Sequence, residues 1–312
     1  MAAFVLRRVL GMVPLLLGAT FVIFAAVYAL PGDPIRAIAG PTAEISPATR
    51  AALTEEYHLD ESLPVQYGYY LTGVLRGDLG VDLRGRPVFE LVEAAWPISL
   101  QLGVTAWALM AVVGVGLGAM AAMRRGGPVD WTVLGLTTVI VGVPYFVVAY
   151  VLQIVVGVQL GWLPSSGVRD GWPVGYLLPA VCLALFGVPE LARLTRASII
   201  ENRYADFVDT AVAKGLAPRV VMVRHILRNS LVPVVSVLGL ALGFLMSGAI
   251  LIEGIFNVPG LGFTLFTGIR QQNGPVVVGI STLMVFIFLA VNLVVDIVCG
   301  LLDPRISLVR DR

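Results

Sequence analysis

Residues 9–30 read VLGMVPLLLGATFVIFAAVYAL, twenty-two residues without a charge, directly after Arg7 and Arg8. A bilayer core about 30 Å thick is crossed by about 20 apolar residues in helical form, so this run is long enough to span it. A secretory leader shares the basic start, but its apolar region is only about 7–15 residues. The expectation is a signal anchor that stays in the membrane.

The rest of the chain has the same character. Of 312 residues, 58% are hydrophobic and 13% charged, about half the roughly 25% charged share of soluble domains. Mean hydropathy is +0.90. A water-soluble globule could not hide so much apolar surface behind 21 basic and 20 acidic side chains, and a disordered chain has the opposite composition. The net charge of +1 leaves no basic field to attract nucleic acid. Cys182 and Cys299 both sit in apolar runs, which fits buried thiols better than a disulfide framework or a metal site.

Further uncharged runs lie between Glu93 and Arg124, Asp130 and Arg169, Asp170 and Glu190, Arg228 and Glu253, and Arg270 and Asp296. They predict an all-α polytopic protein with six spans near 9–30, 98–123, 132–158, 173–192, 230–253 and 276–301. The stretch from Gly254 to Ile269 is short and carries Pro259 and four glycines, so it reads as a surface or partly re-entrant loop. With both termini inside, 14 of the 21 basic residues face the cytoplasm and the short outer loops carry only Arg169 and Arg270. That is the positive-inside pattern. The domains are then 1–30 as N-terminal tail and first span, 31–97 as an external segment, and 98–312 as the transmembrane core with an inner loop at 190–229.

Two loops are too large for connectors. Segment 31–97 holds ten of the 20 acids against five arginines. Ser46-Pro47 looks like a helix start, and Val88, Leu91, Val92 and Ala95 share one helical face. A small helical subdomain is expected, either a lid or a docking surface for an external partner. Loop 190–229 carries seven basic and four acidic residues in a helix–break–helix pattern. Asn202 could cap a helix through Tyr204, Ala205, Asp206, Phe207, Val208, Asp209, Thr210 and Ala211, with Lys214 near its end and Gly215 stopping it. Pro218 opens the next. Phe207, Val208, Ala211 and Val212 form a small apolar face with a charged rim. Such a helix suits a groove on a soluble partner or the membrane surface.

Asp209-Thr210-Ala211-Val212-Ala213-Lys214-Gly215, with Pro233 downstream, resembles the EAA loop of permease subunits of bacterial ABC importers. The 18-residue spacing from Gly215 to Pro233 is similar to the dipeptide and oligopeptide branch. So are Leu30-Pro31-Gly32-Asp33-Pro34, Gly77-Asp78-Leu79-Gly80, Gly85-Arg86-Pro87-Val88, Arg125-Gly126-Gly127, Leu163-Pro164-Ser165-Ser166-Gly167, Ala192-Arg193-Leu194-Thr195-Arg196-Ala197, Ile252-Glu253 with Ile255-Phe256, Pro259-Gly260-Leu261-Gly262 and Asp303-Pro304-Arg305, in order along the chain. The chain looks like the first permease of such a pair, with its large outer loop after the first span. It departs from the branch at Asp209 and Val212, where the branch usually has Arg.

The resemblance implies a type I importer permease fold in the bacterial plasma membrane. It implies a second permease, two cytoplasmic ATPase subunits and an extracellular solute-binding protein as partners, and a coupling role for the helix around 204–215. The expected cargo is di- or oligopeptides, with nickel chelates, glutathione or sugars as alternatives in the same branch. The sequence has no Gly-x-x-x-x-Gly-Lys-Ser/Thr loop to cradle phosphates, so ATP and Mg²⁺ would belong to the partner ATPases and this chain would hold no cofactor or metal. Ser247 and Asn257 are candidates for the substrate path. Asp296 is the one ionisable residue placed inside a span, a functional candidate or a group paired near the inner boundary. The pairs Gly114–Gly118 and Gly239–Gly243 fit close helix packing. The only histidines, His58 and His225, lie in loops, and no His-Glu-x-x-His is present, so no intramembrane protease site can be assembled. A self-sufficient secondary carrier would call for more buried charge and an internal repeat.

Overall fold

The computed structural model describes residues 2–28, 35, 46–56 and 58–302. The side chains at 2–4, 49, 52, 53, 56, 246–248 and 298–302 lie outside that description. Among the described residues the chain is helical and no strand is present; one isolated antiparallel bridge joins Val81 and Pro87. Two compact units divide it, Met1–Leu100 with Met246–Leu293, and Gln101–Leu245 with Val294–Arg312.

The first unit holds α1 (Ala2–Tyr28), α2 (Pro47–Glu56), α3 (Leu63–Leu75) and the start of α4 (Val88–Met123). It also holds α11 (Ile250–Phe256), α12 (Leu261–Arg270) and most of α13 (Gly274–Leu302). α2 begins at Pro47 as its sequence implies, and Pro64 opens α3, where the missing N–H costs nothing. The face expected on residues 88–95 is real: Val88, Val92 and Ala95 are buried against Leu79, Leu261, Leu265, Val276 and Ile280. It belongs to the first turns of α4, which runs unbroken through Pro97. Tyr67 of α3 packs with Phe24 and Val278, and its hydroxyl donates to the Leu17 carbonyl at 2.9 Å. In the turn before α4, Asp82 accepts from the Arg84 and Arg86 N–H groups and pairs with the Arg86 guanidinium at 2.7 Å. Burial pushes that carboxyl up, but these bonds outweigh it and hold it below the usual carboxylate range.

The second unit holds the rest of α4, then α5 (Pro128–Gly142), α6 (Tyr145–Leu152, continued by a π-helical stretch Gln153–Gln159), α7 (Val174–Ala184), α8 (Val188–Arg203) and α9 (Asp206–Ala213). A turn at Pro218–Val220 and a π-helical stretch Val221–Leu227 then lead into α10 (Arg228–Gly248). Three of the four paired glycines meet neighbours inside the chain. A methyl on Gly114 would meet Leu191, one on Gly118 would overlap the Ala192 carbonyl and Thr195, and one on Gly239 would overlap Val295.

Among the described residues, four helices are long and apolar enough to cross a bilayer: Val5–Tyr28, Val88–Met123, Pro218–Leu245 and Gly274–Ile297. Three further candidates are bent pairs, α5–α6 by 100°, α7–α8 by 62° and α11–α12 by 82°. The last covers the stretch 254–269, read from the sequence as a surface or partly re-entrant loop, and gives it two short helices. Pro259 and Gly260 break the chain once, between two short helices, and Asn257 ends the first of them in the left-handed conformation at φ 50°.

Candidate functional site

The segment 190–229 places its helices around a small core of its own. α8 runs past the expected end of its span to Arg203. Its Arg196 guanidinium donates two hydrogen bonds to Asp130 at 2.6 and 2.8 Å, and Asp130 is itself buried and accepts from the Gly126 N–H. Asn202 and Tyr204 belong to the end of α8, not to the start of the next helix. The Asn202 amide bonds back to the Ser198 carbonyl at 2.9 Å, and Tyr204 is the residue on which α8 ends. α9 starts only at Asp206, after an extended Ala205. The reason is local: the Asn202 side chain is turned one turn back along α8, so the N-cap falls three residues later, at Ala205.

α9 has eight residues. Asp206 and Asp209 lie in its first turn, where the helix dipole favours acid. Gly215 adopts φ 73° just past its end and donates to the Val212 carbonyl at 2.9 Å, as the sequence implied. The apolar face expected to enter a partner faces the chain instead. Val208 and Ala211 are buried with Ala122, Ile199, Val221 and Ile226, and Phe207 packs beside them. A helix this short has no stability alone and spends its apolar side on its own scaffold. What it leaves outward are Asp206, Asp209, Thr210, Lys214 and Gly215, with Tyr204 at 71% and Val212 at 60% exposure as the large apolar contributions.

A second polar centre lies in the first unit; in the sequence its acid marked a span boundary and formed part of one family-like motif, with no partner assigned. Glu253 of α11 is fully buried, at 0% exposure. Its Oε1 accepts from the Ser99 hydroxyl at 2.6 Å and its Oε2 from the Phe263 N–H at 3.0 Å. Ser99 Oγ in turn accepts from the Leu261 N–H at 2.8 Å. The pair therefore caps the N-terminus of α12, where helix N–H groups lack partners. A methyl on Gly260 would overlap Ser99 and one on Gly262 would meet the Ile250 backbone at 2.6 Å, so both positions need glycine for close approach. The signal available in the sequence was an acid between apolar residues, ten positions before Phe263.

The other expected site residues do not gather with these. Asn257 is exposed and serves as the C-cap of α11. The side chains of Ser247 and Cys299, and the stretches Leu30–Pro34 and Asp303–Arg305, lie outside what the structure describes. Asp296 is half-buried on α13. No group of three or more His, Cys, Asp or Glu that could hold a metal occurs among the described residues.

Two family descriptions match the chain, "binding-protein-dependent transport system inner membrane component" over residues 114–308 and its N-terminal counterpart over residues 1–86. The glutathione transport system permease protein GsiC of Salmonella typhimurium is 37% identical over 309 residues, covering 98% of this chain and 99% of that protein. The dipeptide transport system permease protein DppB of Escherichia coli K12 is 36% identical over 336 residues, and the probable peptide ABC transporter permease protein y4tP of Sinorhizobium fredii 34% over 313, with the same coverage. With helices long enough to span, an outward-facing loop helix and full-length relatives of this kind, the chain belongs to the family of binding-protein-dependent transport system inner membrane components.

Proposed function

We propose that this permease is one of two membrane subunits of an ATP-driven importer that carries di- and oligopeptides across the bacterial plasma membrane. The observation that carries the reading is α9, a short helix fixed on its inner side and offering an acidic and aromatic outer side, in a chain without a phosphate-cradling loop. Two cytoplasmic ATPase subunits, which hold ATP and Mg²⁺, grip α9 and the residues around it, Tyr204 to Gly215. A solute-binding protein delivers cargo from outside, and a second permease completes the path. Six spans follow if α5–α6 and α7–α8 each cross as one bent span and α11–α12 dips without crossing, which leaves both termini inside. Ser247 and Asn257 stand as path candidates, and Asp296 as a paired acid near the inner boundary.

The names of two relatives support peptide as cargo. A second reading, glutathione, is favoured by the 37% identical relative. The test is co-expression with the partner subunits and uptake in vesicles. ATP-dependent dipeptide uptake is expected, with deletion of 205–215 releasing the ATPases. ATPases that remain bound to the deleted form and support uptake would sink the role of α9. Competition by glutathione against a dipeptide separates the two cargoes.

A further inference from the structure

The second unit contains a cavity of about 550 Å³, within the usual range of small-ligand sites, where its two bent helix pairs meet. Val143 before Pro144 is extended, as a residue before proline prefers, and this breaks α5 from α6. Leu185 to Gly187 breaks α7 from α8. A methyl on Gly187 would overlap the Met110 sulfur, so that side chain would have to move. The two breaks bring Tyr145 edge-on to Phe186 at 5.7 Å, and Phe186 stacks on Phe244 at 5.0 Å. Phe186 remains 50% exposed. The lining is otherwise aliphatic, with two charges on one wall, Glu190 and Arg193.

Both side chains are exposed, and that of Arg193 reaches further along α5 than its sequence position implied. The Arg193 guanidinium donates to the Thr138 hydroxyl at 3.0 Å and to that of Thr137 at 3.3 Å. Thr137 is seven residues beyond Asp130 on α5, which is about 10 Å along the helix at about 1.5 Å per residue. Arg193 thus reaches the apolar run about 10 Å beyond Asp130, although it lies only three residues, about 4.5 Å, from Arg196 along α8. An ionisable group at such a place faces a wet cavity or a bundle interior, not lipid. Arg193 is oriented by two neutral hydroxyls, and no ion pair holds it among the described residues. No ion pair joins it to Glu190, which has no other cation against it among the described residues.

We propose that this cavity is a cargo station on the transport path and that it takes a short zwitterionic peptide. This rests on the peptide-importer reading. Arg193 takes the terminal carboxylate, Glu190 the terminal ammonium, and Tyr145 and Phe186 the apolar side chain. Glu190 and Arg193 are three apart on α8, about 5–6 Å between Cβ atoms. Two extended residues reach at most about 7 Å, of the same order as that Cβ spacing, which suits a short peptide.

The test uses the complete transporter in liposomes with its binding protein, and alanyl-photoleucine, a dipeptide whose side chain carries a diazirine. Glu190→Gln and Arg193→Gln should each slow its import by about tenfold, while the loaded binding protein still stimulates ATP hydrolysis within about twofold of wild type. Irradiation of the loaded transporter should place the adduct on Tyr145 or Phe186. Both variants importing at the wild-type rate, or adducts found only away from the cavity, would overturn the station and leave the importer reading standing. A photoreactive lipid that labels Tyr145 or Phe186 where the dipeptide does not would overturn it in favour of an acyl chain. Failure of the wild-type transporter to import any dipeptide would bring down the peptide reading and the station together.

Discussion

α9 and the α11–α12 hairpin are both short helical pieces set between long helices, yet they are held in opposite ways. α9 is anchored by the burial of Val208 and Ala211, with Phe207 beside them. A fully buried Val contributes about 1.5–3 kcal/mol and an Ala less, so a few kcal/mol hold the whole element. Its polar side is left open. The hairpin has its polar groups inside: Glu253, Ser99 and the first N–H groups of α12 satisfy one another, and two glycines are pressed against them. An element with its contacts turned outward suits being gripped and moved, and one with its contacts turned inward suits holding an angle. The 82° bend of the hairpin is thus built from side-chain chemistry as well as from Pro259.

If that contrast is correct, the largest loss of stability comes from Glu253→Ala. It strands the Ser99 hydroxyl and the Phe263 N–H, at about 1–3 kcal/mol for each unsatisfied group. A thermal melt of the purified protein in detergent should show a clear drop, and Glu253→Gln, which keeps the volume and one acceptor oxygen, a smaller one. Gly260→Ala comes next, at about 1–3 kcal/mol, because the new methyl crowds Ser99 and the Glu253 carboxylate. A melt unchanged by Gly260→Ala would mean that the hairpin is looser than its contacts imply. Gly215→Ala costs about 1–2 kcal/mol locally through the left-handed φ of 73°. The loss falls on α9 alone, so the global melt should barely move while ATPase stimulation by the loaded binding protein declines. A fall in the melt as large as that of Gly260→Ala would erase the distinction between the two elements.

The parts legible in the sequence were those whose cause is local. Residues 9–30 declare a span by length and lack of charge. Gly215 declares a helix end because few other residues adopt its φ, and Pro47 a helix start. The parts that were not legible depend on distant partners. Nothing near Glu253 announces Ser99, 154 residues away. The amphipathic pattern of α9 shows that it has an apolar face but not what covers it, and the cover proved to be Ile199 and Ile226. Glu190 marked the edge of an apolar run and Arg193 lay in the inner loop beyond it, yet the bend between α7 and α8 lays Arg193 beside Thr137 and Thr138, within another run.

The smallest effect on stability is expected for Tyr204→Ala, and it puts the sharpest question to α9. Tyr204 is 71% exposed at the end of α8, with its ring clear of the small core beneath α9. Surface substitutions of that kind usually stay within about 0.5 kcal/mol, so the melt and the yield of folded protein should match wild type. Aromatic anchors at a protein interface, by contrast, cost about 2 kcal/mol or more when truncated. If Tyr204 is such an anchor, the affinity for the ATPase subunits should fall more than tenfold, since a factor of ten corresponds to about 1.4 kcal/mol. Titrating the purified ATPase against permease in lipid nanodiscs measures it directly. Equal binding by Tyr204→Ala would move the grip away from this side of α9, towards Val212 and the acids of its first turn.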